Sequence, residues 1–292
     1  MQAASFFLVN YLLIELIFGI KMTYLEPIVK SLPFLQTPRD AWSPGAGFLE
    51  YTFGQLIRGT IPFLLIGMIL LFGLFGGRIF CGWVCPTGFI QDLFSKLPRE
   101  NKRFKIQTDK SLKKVKYGVL LLLFIMFLPL GFLYGTESGF SYAYSLGTFG
   151  QRPESVFSLS EFIFAFFPQL IQEMVKEGSF SPMVYSAFGA LQFGAYIVII
   201  ILCAFYPRFY CRVLCPYGAM IGLVSEYSLI HLGRNPVRCP GRKECGICER
   251  VCPVQVRILE EQWEGFSGDG ECILCLECKE KCPHGAIVWK FG

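Results

Sequence analysis

Eight of the thirteen cysteines fall in the last 54 residues, and their spacing leaves that stretch of chain few ways to fold. They read Cys239-x5-Cys245-x2-Cys248-x3-Cys252-Pro253, then Cys272-x2-Cys275-x2-Cys278-x3-Cys282-Pro283. Three thiols this close wrap one segment around a cubane, and the proline after the fourth turns the chain away. In paired runs of this type the fourth cysteine of each run ligates the cluster of the other. Cys239, Cys245, Cys248 and Cys282 are thus assigned to one [4Fe–4S] cluster, and Cys272, Cys275, Cys278 and Cys252 to a second. Structural zinc favours two Cys-x2-Cys knuckles with a longer spacer, a poor match to these runs. A disulfide framework requires an oxidising compartment, and the topology below puts this tail in the cytoplasm.

The rest of the chain is apolar. Of 292 residues 53% are hydrophobic and 17% charged, against roughly 25% charged in soluble domains. This describes an integral membrane protein with a soluble appendix, and its net charge of +5 points to no nucleic-acid partner. Four segments suit the ~20 residues a spanning helix needs: Ser5–Tyr24, Leu56–Phe80, Tyr117–Tyr134 and Phe188–Tyr206. A fifth stretch, Phe157–Val175, contains Glu161, Pro168, Gln169 and Glu173 and reads as an interfacial or re-entrant helix. The loop Lys96–Lys116 carries nine Lys/Arg and only Glu100 and Asp109 as acids. Gly135–Ala187 carries Arg152 and Lys176 against five glutamates. The positive-inside rule places the first loop in the cytoplasm and the second outside. The expected protein is multi-pass in the cytoplasmic membrane, with both termini and the cluster-bearing tail inside. Its first apolar segment has no basic start and no A-x-A-like site, and reads as a retained helix.

An internal repeat carries four more cysteines. Arg78-Ile79-Phe80-Cys81-Gly82-Trp83-Val84-Cys85-Pro86-Thr87-Gly88 recurs as Arg208-Phe209-Tyr210-Cys211-Arg212-Val213-Leu214-Cys215-Pro216-Tyr217-Gly218. The copies run over residues 78–97 and 208–227, each leading from a span end into a short amphipathic segment. Thiols at i and i+4 share a helix face, and the proline disfavours helix at the residue before it. Cys81, Cys85, Cys211 and Cys215 therefore form a candidate additional iron–sulfur or other metal centre. Packing is the competing role, since cysteine also serves as a small core residue. Cys203, inside the fourth span, reads as packing.

Few other groups offer chemistry. The two histidines, His231 and His284, lie outside the spans, so no haem is expected. Glu15 sits in the first apolar segment, where a charge costs about 2.5–3.5 kcal/mol on insertion scales. It is the candidate proton acceptor if quinol is oxidised; a headgroup position is the alternative. Arg58, Arg78 and Arg208 read as interfacial anchors, with Arg78 and Arg208 also placed to stabilise thiolate charge. Phe140, Tyr142, Tyr144 and Phe149 read as an interfacial aromatic belt.

The expected fold is mainly α: a four-helix polytopic membrane domain, residues 1–235, followed by a small α+β bacterial-type two-cluster ferredoxin domain, residues 236–292. Together the spans, the two Cys-x3-Cys-Pro motifs and the two-cluster tail resemble the NapH family of membrane quinol-dehydrogenase polyferredoxins, with related architectures in NosR and CcoG. The resemblance implies electron transfer from quinol to an iron–sulfur or cytochrome subunit of a larger complex, with membrane lipid around the helices. It matches the eight ferredoxin cysteines and the four paired cysteines. Two other readings of the same residues are a copper reductase or assembly factor, because soft thiolates favour Cu(I), and a redox sensor.

Overall fold

The computed structural model describes residues 2–9, 19, 48–98, 101–146, 159, 162–163, 187–261, 263, 265–266 and 270–291. Helix α1 (Gln2–Val9) lies against the first repeat, with Phe6 5.4 Å from Phe89 and the Gln2 amide donating to the Gly82 carbonyl. Most of the first expected span, Glu15 included, lies outside the described residues. The second expected span is broken into α2 (Phe48–Ile57) and α3 (Phe63–Gly76). Gly59 at φ +70° and Pro62, which has no N–H to continue a helix, separate them.

Helix α6 (Ile106–Phe132), which follows the repeat helices described below, starts eleven residues before the expected Tyr117. Lys110, Lys113, Lys114 and Lys116 thus belong to its first turns instead of to a loop. At about 1.5 Å per residue it is about 40 Å long, more than a hydrocarbon core requires. Among the described residues it is the one helix long and apolar enough to cross a membrane; the apolar stretches Ile66–Gly76 and Phe193–Phe205 are shorter. Helix α7 (Glu137–Leu146) follows, and α8 (Ala187–Phe205) falls within one residue of its expected bounds. Of the expected interfacial stretch only Leu159, Phe162 and Ile163 are described; Phe162 stacks on Tyr196 at 4.4 Å. Large apolar side chains stand exposed on three helices: Phe63, Leu64 and Phe75 on α3, Leu121 and Ile125 on α6, and Leu191 and Val198 on α8.

Each repeat copy folds as two short helices broken at the second cysteine. These are α4 (Ile79–Trp83) and α5 (Pro86–Phe94), then α9 (Phe209–Val213) and α10 (Pro216–Ser225). Proline opens α5 and α10 because its missing N–H is one the first turn leaves unused anyway. The ferredoxin unit closes on a two-stranded antiparallel sheet of β1 (Ile230–Arg234) and β2 (Ile287–Phe291), in register from Ile230↔Phe291 to Arg234↔Ile287. Between them lie α11 (Ile247–Val251) and α12 (Glu277–Glu280). The ferredoxin core of Leu232, Val254, Val256, Phe266, Ile273 and Ile287 continues without a break to Cys81 in the first repeat.

Two kinds of contact weld the ferredoxin to the helices. Backbones meet directly: a Cβ on Gly82 would lie 2.2 Å from the Ile273 carbonyl, and one on Gly270 (φ +73°) 2.1 Å from the Gly222 carbonyl. The Trp83 indole N–H donates to the Leu274 carbonyl at 2.8 Å. Alongside runs a buried ion cluster, in which Glu271 accepts from Arg78 at 2.7 Å and from the Lys116 ammonium. Burial opposes the charge of Glu271, but Arg78 and Lys116 outweigh it and hold the carboxyl below the usual glutamate range.

Removing one partner of a buried ion pair costs roughly 3–5 kcal/mol, so Glu271→Gln should lower the thermal midpoint of the detergent-solubilised protein clearly. An unchanged midpoint would show that the joint does not depend on this pair. Because the folded carboxyl titrates low, its stabilisation is complete above the ordinary glutamate value of about 4.3 and lost as pH falls through the lower folded value. The variant should lack that part of the acid sensitivity. Gly82→Val should loosen the ferredoxin unit, read as faster limited proteolysis after residue 235 with the helical part intact.

Candidate functional site

The ferredoxin cysteines surround two pockets. One is lined by Cys239, Cys245, Cys248 and Cys282, the other by Cys252, Cys272, Cys275 and Cys278. These are the two sets given by the spacing, with the fourth cysteine of each run crossed over. Local backbone makes the wrap: Leu274 (φ +48°) and Leu276 (φ +66°) turn the chain between the thiols of the second run, and Gln255 (φ +52°) turns it after Cys252. Both crossing cysteines accept a backbone N–H from four residues on, Val256 to Cys252 at 3.3 Å and Ala286 to Cys282 at 3.4 Å. Burial pushes the Cys248 and Cys275 thiols up to about 11 and Cys272 up to about 12. With no cation bound these thiols hold their protons at neutral pH, so ligation releases protons.

The repeat copies clasp one another crosswise. Arg208 donates from Nη1 to the Cys81 carbonyl at 2.5 Å, and Arg78 from Nη2 to the Cys211 carbonyl at 3.3 Å. The glycine ending each motif makes room for the other copy's arginine. A Cβ on Gly88 would lie 3.1 Å from Arg208 Nη1, and one on Gly218 2.7 Å from Arg78 Nη2. Arg208, itself left-handed at φ +55°, is gripped at both ends by Asp92, from Nε to Oδ1 at 2.8 Å and from Nη2 to Oδ2. Arg78 and Arg208, read as interfacial anchors also placed to stabilise thiolate charge, are 1% and 2% exposed, too buried to anchor at an interface. Arg58, by contrast, is exposed in the break between α2 and α3.

Within this clasp the four paired thiols lie in one electrostatic neighbourhood. Burial raises Cys85 to about 12, with Cys211 and Cys81 next in effect; Cys215 is raised by burial and then by Cys211, Cys81 and Cys85. The Cys215 sulfur accepts the Gly218 N–H at 3.3 Å. Five cations, Arg78, Lys113, Lys116, Arg208 and Arg212, stand around the site against three carboxylates, Asp92, Asp109 and Glu271, so positive charge is in excess by two. The Arg78 Nε is buried without a hydrogen-bond partner among the described residues. Among those residues no three His, Cys, Asp or Glu side chains gather as the ligands of one bound ion do.

Sequence reasoning missed Gln91. Its amide is 1% exposed on α5, donates from Nε2 to the Cys211 sulfur at 3.0 Å, and accepts at Oε1 from the Cys211 N–H and from the Cys203 thiol. Cys203 is buried as expected of packing, yet it reaches the same amide. The available signal was a glutamine in the short amphipathic segment that follows the first motif, which needs a partner if buried. Tyr142 on α7 donates to the Met126 carbonyl at 3.3 Å, while Phe140 and Tyr144 stand exposed; Phe149 lies outside the described residues. His231 sets Nδ1 3.3 Å from the Ser228 carbonyl, and His284 is on the rim of the first ferredoxin pocket.

Residues 59–105 and 188–235, one stretch per repeat copy, match a family model described as a 4Fe-4S binding domain, and residues 238–287 match a 4Fe-4S dicluster domain. A Methanocaldococcus jannaschii protein, MJ0749, is 28% identical over 82% of this chain and 75% of its own length. An Escherichia coli protein named for electron transport, YccM, is 27% identical over 85% of this chain and 62% of its own. The ferredoxin-type protein NapH of Haemophilus influenzae is 23% identical over 77% and 66%. No solved structure matches the chain. The chain carries [4Fe–4S] clusters and is similar to ferredoxin-type electron-transport proteins, NapH and YccM among them.

Proposed function

We propose that this protein is a membrane-embedded electron-transfer subunit linking the quinone pool to a partner redox protein within a larger complex. Residues 1–235 cross the membrane four times, and residues 236–292 lie on the cytoplasmic side with both termini. The apolar exteriors of α3, α6 and α8 and the lysine-rich start of α6 support that topology. The assigned ligands are Cys239, Cys245, Cys248 and Cys282 for one cluster and Cys272, Cys275, Cys278 and Cys252 for the other. Bound clusters supply one-electron steps at potentials set by burial, charge and hydrogen bonds to sulfur.

The observation that carries the reading is the crossed arginine clasp around the four paired thiols, directly against the second ferredoxin pocket. Cys81, Cys85, Cys211 and Cys215 fit an anionic thiolate-ligated centre. The site has positive charge in excess, and Arg78, whose Nε has no hydrogen-bond partner among the described residues, interacts electrostatically with Cys81, Cys211 and Cys215. Gln91 then donates a hydrogen bond to a ligating sulfur, and Gly82 and Trp83 fix the loop of Cys272 and Cys275 against the first motif. A cavity of about 590 Å³ between α6 and the ferredoxin, with Lys113, Tyr117, Glu226 and Glu271 among its walls, has room for a quinone head group.

Iron per polypeptide, on protein purified anaerobically in detergent, tests the central claim. Two cubanes contain about eight irons and a third raises this to about twelve. We expect the higher value, falling to about eight in the Cys81→Ser, Cys211→Ser double variant. Eight irons in both proteins would remove the third centre, and copper lost with the same substitutions would favour the metal-assembly function instead. The quinone link is tested separately by adding a soluble quinol to the oxidised protein. Cluster absorbance should bleach in the parent and bleach much more slowly in the double variant; equal rates would place quinol oxidation elsewhere.

A further inference from the structure

The two ferredoxin pockets differ in what surrounds them. The second is closed by Leu232, Val254, Val256, Phe266 and Ile273, all buried, and its loop is pinned under Trp83. The first has exposed Pro283 and His284 on its rim. Beside it opens a cavity of about 310 Å³ that shares Cys245 as a wall and is lined by Arg103, Arg242, Arg250 and Arg257. Glu249 is the one acid among the lining residues, and it is occupied. Its carboxylate is 11% exposed and accepts from Arg242 and from the Leu259 N–H. Arg103 is committed to the carbonyls of Glu249, Arg250 and Cys252. Arg238, Lys243 and the Arg250 guanidinium are exposed and meet no carboxylate among the described residues.

Charge along the ferredoxin sequence is sharply divided. Residues 236–257 contain five cations, Arg238, Arg242, Lys243, Arg250 and Arg257, against Glu244 and Glu249. Residues 258–271 contain five acids and no cation. The positive half carries three of the four cysteines of the solvent-side pocket.

We propose that this arginine- and lysine-lined face is the docking surface for an acidic protein that has its own iron–sulfur or flavin centre near its surface. This inference rests on the electron-transfer reading and names the class of partner. One electron crosses from whichever centre is reduced to the one that is oxidised; no bond forms or breaks and no proton moves. An anionic bilayer is the competing occupant. The protein partner is favoured because the basic face borders the solvent-side pocket, whereas the exposed apolar residues of the helices belong with the pocket pinned under Trp83. Complementary charge raises encounter rates by about 10- to 1000-fold and is screened by salt.

The test uses the full chain with its clusters in zwitterionic nanodiscs and, as probe, a fluorescently labelled plant-type [2Fe–2S] ferredoxin of strongly negative charge. Binding should weaken about tenfold or more from low to high salt, and by a similar factor at low salt in Lys243→Glu, Arg250→Glu. Iron content and cluster reduction by a small neutral mediator should be unchanged in that variant; the milder Lys243→Gln, Arg250→Gln serves if the reversal fails to load clusters. Binding insensitive to both salt and substitution would overturn the proposal. So would substitutions that abolish binding to phosphatidylglycerol vesicles while leaving ferredoxin binding intact. Loaded parent protein that no mediator or carrier reduces would instead sink the electron-transfer reading itself.

Discussion

Buried arginine is the constraint around which this chain is arranged. Arg78 and Arg208 are almost wholly withdrawn from water, and an isolated buried charge is too costly to persist without partners. Each finds its partners in the opposite repeat copy and in a carboxylate. Arg208 takes the Cys81 carbonyl and Asp92, and Arg78 takes the Cys211 carbonyl and Glu271. Neither copy can bury its arginine alone. The helices that carry the copies are therefore brought together, and because Glu271 belongs to the ferredoxin, that unit is drawn into the same cluster. The glycines ending the motifs follow, since any side chain at Gly88 or Gly218 would occupy the place of the crossing guanidinium.

The copies are alike where they hold each other and different where they meet anything else. The position after the first cysteine is Gly82 in one and Arg212 in the other. Glycine lets the Ile273 carbonyl approach to where a Cβ would stand, so the second ferredoxin pocket rests on the first copy. Arg212 in the matching place reaches outward to Asp109 and to Gln255, just beyond Cys252. Gln91, which holds the Cys211 sulfur, corresponds to the apolar Ile221, and Cys203 corresponds to Gly73. A symmetric frame thus presents an asymmetric set of hydrogen bonds and contacts to its four thiols. Such asymmetry lets one side face the ferredoxin and the other face the helices.

Much of this was legible in the sequence, for reasons that differ by element. Cluster ligands are fixed by spacing over a few residues, so the eight ferredoxin cysteines fall into the two pockets their spacing assigned. The repeat was visible because identical residues recur at a fixed offset. That its arginines are buried and crossed was not, because pairing across 130 residues is a tertiary fact that composition does not carry. Helix α6 began early because lysines are good helix formers, while a hydropathy reading starts a span only where charge ends. The break at Gly59 and Pro62 was overlooked for the opposite reason, since the apolar run continues through residues that cannot continue a helix. Glu15 and most of Phe157–Val175 lie outside the described residues.

The two ferredoxin pockets are built from the same local device, a cysteine accepting the N–H four residues on, so that bond cannot distinguish them. Their surroundings do. One is sealed by apolar side chains and the first repeat; the other keeps an exposed rim near Arg238, Lys243 and Arg250, which meet no carboxylate among the described residues. Burial away from water disfavours the more negatively charged reduced state, whereas nearby positive charge favours it. Burial favours the added electron on the solvent-side pocket, while the sealed one keeps Arg208 near Cys275 and Lys113 and Arg103 near Cys252. The placement of one glycine, Gly82, sets which end of a nearly symmetric ferredoxin rests on the first repeat copy.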